Sequence, residues 1–271
     1  MSGSIETLRS FVNSWECDEN IHMNIQFYWK RFGEASEIFF LLSGAEPQLW
    51  QDRHVRYHAE LSMASNTRMS SAALRETGQM VHLFENTETG TLSATAVETC
   101  SHPVIAETGT LEAIPEHAEP RSLPTAKLQP VNTNLEVNAG YGLVSHRSVV
   151  TPMECDRRGK LLDQYYISRF SDAASHLWDH LGVGRKWMKQ NNLGTVAVEM
   201  KVTRHRDVQD GTVLEVFSWL ENVGAKAFTF HHQVSDMRTG EPLYSGMVTA
   251  VLMDLSKRKV VPLPEQLAKW A

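Results

Sequence analysis

No run of about 18 apolar residues occurs in the 271-residue chain, so the sequence offers no membrane-spanning helix. Cysteine is scarce: three residues are too few and too odd in number for a disulfide framework, which fits a reducing cytoplasm. Positive charge does not dominate, since 26 Lys and Arg stand against 32 Asp and Glu for a net charge of -6. Such a balance argues against nucleic acid as the main partner, because a phosphate backbone demands concentrated positive charge. The opening MSGSIETLRSF lacks a basic segment followed by an apolar one, so no secretory signal is expected. What is present is globular, with 42% hydrophobic and 21% charged residues at a length suited to two modest domains or one large one.

The chain resembles itself. Glu16-Cys17-Asp18 returns as Glu154-Cys155-Asp156, and at this shift of 138 the stretch 9–44 holds 12 identities in 36 positions without a gap. Among them are Gln26 with Gln164, Tyr28 with Tyr166, Arg31 with Arg169, Phe32 with Phe170 and Gly44 with Gly182. Chance would give about two. Thr89-Gly90 pairs with Thr239-Gly240 at a changed spacing, each at a turn between strand-like runs. The repeat predicts a duplicated domain, with copies at 1–118 and 142–271 and a Pro-rich extended connector at 119–141.

Each copy reads as strand, loop, one long helix and then several antiparallel strands, an α+β arrangement. The first strand is expected over Leu8 to Trp15 and again over Leu143 to Val150. Tyr28, Phe32, Ala35, Phe39 and Leu42 are spaced for one apolar helix face, with Gly44 as the stop. Thr195 to Val202, Thr212 to Leu220, Ala227 to Val234 and Gly246 to Leu252 read as strands.

The loop before the first helix carries the chemistry. Trp15 to Asn24 gathers carboxylates, amides and an imidazole directly ahead of a helix N-terminus, whose unpaired N–H groups suit a developing oxyanion. From the residues alone two readings stand. In one, Asp18 activates water or attacks an acyl carbon; in the other, Asp18 caps a turn, His22 is a satisfied half-buried residue and Asn24 is an N-cap.

The pattern Asp18, Asn20, His22, Asn24, Tyr28 and Glu34 resembles the motif of the hotdog-fold acyl-CoA and acyl-carrier-protein thioesterases. Asp18 also matches the catalytic Asp of the 4-hydroxybenzoyl-CoA thioesterase-like members, and Ile21 departs from the Gly that many bacterial members carry. The resemblance implies tandem hotdog domains, each a long central helix wrapped by an antiparallel β-sheet. It implies hydrolysis of an acyl thioester to a free acid and CoA or a carrier-protein thiol, without metal or cofactor. The site residues it implies are Asp18 as nucleophile or general base, Asn20 and His22 as catalytic partners, and Asn24, Gln26, Phe27 and Glu34 as substrate-binding groups. Backbone N–H groups from Asn24 to Phe27 would hold the thioester oxygen. The copies would pair as an internal pseudo-dimer, with further self-association left open; no membrane or nucleic-acid partner is expected.

The second copy keeps Asp156 but carries Arg158, Lys160 and Leu162 where the first has Asn20, His22 and Asn24, which predicts one competent site. Cys17 recurs as Cys155 in the copy whose loop has decayed, so a small packing residue explains it better than a nucleophile. Trp15 and Trp29 flank the loop, an arrangement that would suit an aromatic cage. Two alternatives to hydrolysis remain at this level: an enoyl-CoA hydratase of the same fold, and an acyl-CoA binder without turnover.

Overall fold

The computed structural model describes residues 3–133 and 142–268. The chain divides into two compact units, Met1–Arg121 with Leu162–Ile167, and Ser122–Leu161 with Ser168–Ala271. Residues 134–141 of the expected connector lie outside the described residues. No described helix is long and apolar enough to cross a membrane.

In the first unit β1 (Ile5–Phe11) leads through a 3-10 turn (Ser14–Glu16) and the polar loop into α1 (Ile25–Ser43). Four strands follow: β2 (Trp50–Tyr57), β3 (Asn66–Leu74), β4 (Met80–Asn86) and β5 (Leu92–Cys100). They form an antiparallel sheet in the order β1-β3-β4-β5-β2, and a short β6 (Thr110–Leu111) adds to β3 in parallel. The first strand starts and ends earlier than the expected Leu8 to Trp15. Residues 14–16 leave the extended conformation because the Asn13 side chain and Glu16 form a capping box around the turn.

The helix forms where its spacing predicts. Asn24 caps it by accepting the Gln26 N–H, and Gly44 ends it at φ 71, a conformation that costs glycine nothing. Tyr28, Phe32, Ala35 and Phe39 are buried against the sheet as expected, whereas Leu42 is exposed and Phe40 is buried in its stead. The sheet is covered on both faces. Alternate residues of β4 divide between them: Phe84 and His82 face Phe32 of α1, while Val81 and Leu83 join Leu74, Val97 and Ala118 in a second cluster.

The second unit repeats this plan with β7 (Gly142–Val149), α2 (Asp163–His180, whose residues up to Ile167 belong to the first unit), α3 (Arg185–Gln190), β8 (Leu193–Arg204), β9 (Val213–Val223), β10 (Ala227–Asp236) and β11 (Pro242–Asp254). A short β12 (Lys259–Val260) pairs with β11, and α4 (Glu265–Ala268) ends the described chain. The antiparallel order β7-β9-β10-β11-β8 is that of the first unit. Gly90 and Gly240, at φ 67 and 73, close the matching turns before β5 and β11. Where the unit opens, residues 122–131 run across buried polar side chains of its sheet. Glu199 accepts from the Ser122 N–H and hydroxyl, Lys201 donates to the Thr125 carbonyl, Thr203 accepts from Leu128, and Gln233 makes two bonds with Val131. Glu199→Ala leaves three donors of this segment without their acceptor. It should lower stability by about 2–3 kcal/mol and open 122–131 to limited proteolysis.

Both units bury a hydroxyl–imidazole chain beside the helix: Thr7, Ser71 and His82 in the first, Ser145, Ser218 and His232 in the second. Burial holds the His232 ring down to about 3, with His231 adding to the effect, so it stays neutral when folded. The unfolded ring takes up a proton near 6.5, and stability must therefore fall as the pH drops from about 6.5 towards 3. Thermal unfolding followed across this range should show the decline, and His232→Gln should flatten it.

Candidate active site

The polar loop is closed on itself. Its ends are bridged at Cys17 and Met23, and Asp18 donates its N–H to the His22 carbonyl at 2.8 Å. Asp18 Oδ1 accepts the N–H groups of Asn20 at 2.8 Å and His22 at 3.2 Å. The turn-capping reading of Asp18 thus describes its first oxygen. Its second oxygen makes no hydrogen bond among the described residues, and the side chain is exposed.

The loop is fixed to the helix by a buried ion pair. Glu16 Oε1 lies 2.7 Å from Arg31 Nη2, and its other oxygen accepts the Asn13 N–H. Glu154 and Arg169 form the same pair in the second unit. The Glu and Arg identities of the repeat are therefore architectural in both units. Cys17 and Cys155 are half-buried rather than fully enclosed, and burial together with the neighbouring carboxylates pushes both thiols up, away from a reactive thiolate.

The two loops part company at the carboxylate. Asp156 Oδ1 accepts the Arg158 and Lys160 N–H groups just as Asp18 does, but its Oδ2 is held by the Arg158 guanidinium at 2.8 Å. Burial raises the Asp156 carboxyl, and the Lys160 and Arg158 N–H groups with the guanidinium outweigh it, so the net shift is downward. Arg158 stands where the first unit has Asn20. A carboxylate saturated in this way is a poor base and a poor nucleophile.

His22 pairs by backbone with Ser62, and its Nδ1 lies 3.6 Å from Glu60 Oε2. That separation is long for a hydrogen bond but close enough for the carboxylate to orient the ring. The second unit places Lys160 2.6 Å from Asp207, so each unit keeps a basic side chain facing an acid. Glu60 escaped the sequence reading because it pairs with Asp207 at a shift of 147, outside the 138 register.

The helix N-terminus is largely committed. Asn24 donates to the Glu16 carbonyl, Gln26 to the Asn24 side chain and Phe27 to the Asn24 carbonyl, leaving the Ile25 N–H without a partner among the described residues. Gln26 Oε1 accepts from Gln164 at 3.3 Å. Glu34 lies half-exposed beside Arg31 at 3.2 Å and Lys30 at 3.5 Å. The loop brings Asp18, Asn20, His22 and Asn24 together, while Phe27 and Glu34 lie further along α1. Trp15 is 75% exposed, but Trp29 is fully buried and hydrogen-bonded to Tyr57, so the two cannot form a cage.

Below the loop the first unit buries a charged cluster that the sequence reading missed. Arg53 is 0% exposed, stacked on Trp29 and Trp50, with Glu98 at 2.6 Å and Asp163 at 2.7 Å. Trp50 Nε1 also donates to Asp163, whose carboxylate lies against Gly33. His82 joins through Glu98 at 3.3 Å.

Residues 150–271 match the model of the Thioesterase-like superfamily. Among curated proteins, none matches the sequence. An oleoyl thioesterase (putative) from Lactobacillus plantarum has the same fold over 92% of this chain and 97% of its own, at 10% identity and a TM-score of 0.64. An acyl-ACP thioesterase from Bacteroides thetaiotaomicron matches 90% of this chain and 96% of its own, at 10% identity and a TM-score of 0.61. A 12:0-ACP thioesterase from Umbellularia californica matches 90% and 93%, at 10% identity and 0.56. Residues 150–271 thus resemble the thioesterase-like superfamily, and over nine-tenths of its length the chain has the tandem hotdog fold of these solved structures.

Proposed function

We propose that the protein hydrolyses acyl thioesters, releasing a free acid and CoA or a carrier-protein thiol, at one site built on Asp18. The observation that carries this reading is the contrast between the carboxylates: Asp18 is exposed and its Oδ2 makes no hydrogen bond among the described residues, while the Arg158 guanidinium holds that of Asp156. With Oδ1 pinned by two N–H groups, Oδ2 is held in place to take a proton from water as the water adds to the thioester carbon. The same oxygen can instead attack that carbon and expel the thiolate, giving an acyl anhydride that water opens. The Ile25 N–H, at the positive end of α1, polarises the carbonyl in either route. His22, oriented by Glu60, and Asn20 position the water. Asn24, Gln26, Phe27 and Glu34 are assigned to substrate contact, Asn24 also by shaping the helix end.

The two halves read as copies of one ancestral domain, at 1–118 and 142–271 with 119–141 between them. Free cysteines suit a cytoplasmic setting, and the reading calls on no metal or cofactor. A panel of acyl-CoA and acyl-carrier-protein thioesters, followed by thiol release, tests the assignment. Thiol released in step with free acid supports it. Hydration of an enoyl-CoA without thiol release points to the hydratase, and binding without either product points to a sensor.

A further inference from the structure

Four described residues other than glycine have a left-handed backbone, and two of them meet at the Asp18 loop: Ile21 at φ 64 and Ala64 at φ 68. The Met63 N–H donates to the Ile21 carbonyl at 3.1 Å, and the Ala64 N–H to Val12 at 2.9 Å. In the second unit the same places in the bridges and hydrogen bonds fall to Gly159 at φ 74 and Gly211 at φ 75. Left-handed backbone suits glycine and strains a β-branched residue most of all. The first unit thus carries a side chain on strained backbone at two points where the second avoids it.

Ile21 sits between Asn20 and His22 and is 57% exposed, so its side chain gains little from the core. Met63 is 47% exposed. The counterpart of Met63 is Asp210, and a Cβ built on Gly159 would lie 3.4 Å from the Asp210 carboxylate, which makes these two positions neighbours. An apolar pair therefore borders the loop with the open carboxylate, and a glycine with an acid borders the loop whose carboxylate is quenched. Trp15 and its counterpart Met153 are exposed in both units and do not distinguish them.

We infer that Ile21 and Met63 form an apolar lip that receives the hydrocarbon part of the acyl group, so that the substrates are thioesters of apolar rather than short or polar acids. Strain at a functional site persists where the strained group does something the relaxed one cannot. Here the relaxed alternative, glycine, is present in the same protein and lacks only the side chain. The inference deepens the thioesterase reading and rests on it for the word substrate, but not for the binding.

Its test uses the thioether S-octyl-CoA, which cannot be hydrolysed, against CoA alone. Calorimetry should show the alkylated form bound at least about tenfold tighter by the wild type. Ile21→Gly and Met63→Asp should each cut that preference about five- to tenfold. Ile21→Gly should at the same time raise Tm by about 2–4 °C, since it relieves strain. Ala64→Gly should raise Tm and leave the preference intact, which separates relief of strain from loss of the lip. No preference in the wild type, or a preference that survives both lip substitutions, overturns the inference whatever hydrolysis shows. A change of oligomeric state in place of a change in affinity overturns it too, because the lip would then face another copy of the chain. A preference that responds as stated in a protein that cleaves no thioester keeps the lip and rejects the thioesterase reading.

Discussion

Glu98→Val is expected to destabilise the first unit by about 3–5 kcal/mol, and adding Arg53→Met is expected to recover most of the loss. Glu98 is 1% exposed and Arg53 0%, with 2.6 Å between their charges. Removing the acid leaves a guanidinium enclosed by Trp29 and Trp50 with Asp163 as its remaining partner and no access to water. The cure is written in the second unit. Arg53 pairs across the sheet with Glu98, and the matching register there pairs Met200 with Val248, both buried. The same backbone thus tolerates an apolar pair, and the double variant transplants it. Urea unfolding of the two single variants and the double one decides the matter. A double variant no better than Glu98→Val would mean that the charges are needed by something other than each other. Acid reports on the same cluster. Burial acts to raise the Glu98 carboxyl, but Arg53 and His82 more than offset it and hold it near 2. Its contribution is complete above about 4.5 and must be lost as the pH falls from there towards 2, a window below that of His232.

How much of this could be read in the sequence depends on how local the physics was. The span and stop of α1 were legible because Asn24, the Tyr28–Phe39 spacing and Gly44 act within one helix. The matched Thr-Gly turns were legible for the same reason. The 3-10 turn at 14–16 was not, since Val12 and Trp15 continue a strand-like pattern and only the Asn13–Glu16 contact breaks it. Arg53 and Glu98 drew no expectation, because nothing near either in sequence reveals that they meet across a sheet. Within the loop, the structure shows local duties for residues that the motif marks as candidates. Asp18 and Asn24 serve the local fold, as the plainer reading held, and the distinction between the two copies lies in Arg158, which sequence counted as a lost Asn rather than as a gained clamp. Ile21 registered as a departure from a glycine pattern; its backbone angle shows what that departure costs.

The second large effect concerns catalysis. Asp18→Asn preserves the amide oxygen that accepts the Asn20 and His22 N–H groups, so the loop should keep its shape while the open oxygen loses its charge. Loss of a general base or nucleophile without loss of the fold should lower kcat by about 10²–10⁴-fold. Asp156→Asn keeps the equivalent backbone bonds and gives up the exposed pair with Arg158, worth little in water. Activity should stay within about twofold of the wild type. An unchanged Tm in both variants keeps the comparison free of unfolding.

Initial rates of thiol release by wild type, Asp18→Asn and Asp156→Asn, on the best thioester of the panel, test the one-site account most directly. The account predicts near-complete loss in the first variant and near-wild-type rates in the second. Comparable losses in both, or an active Asp18→Asn protein, would contradict it.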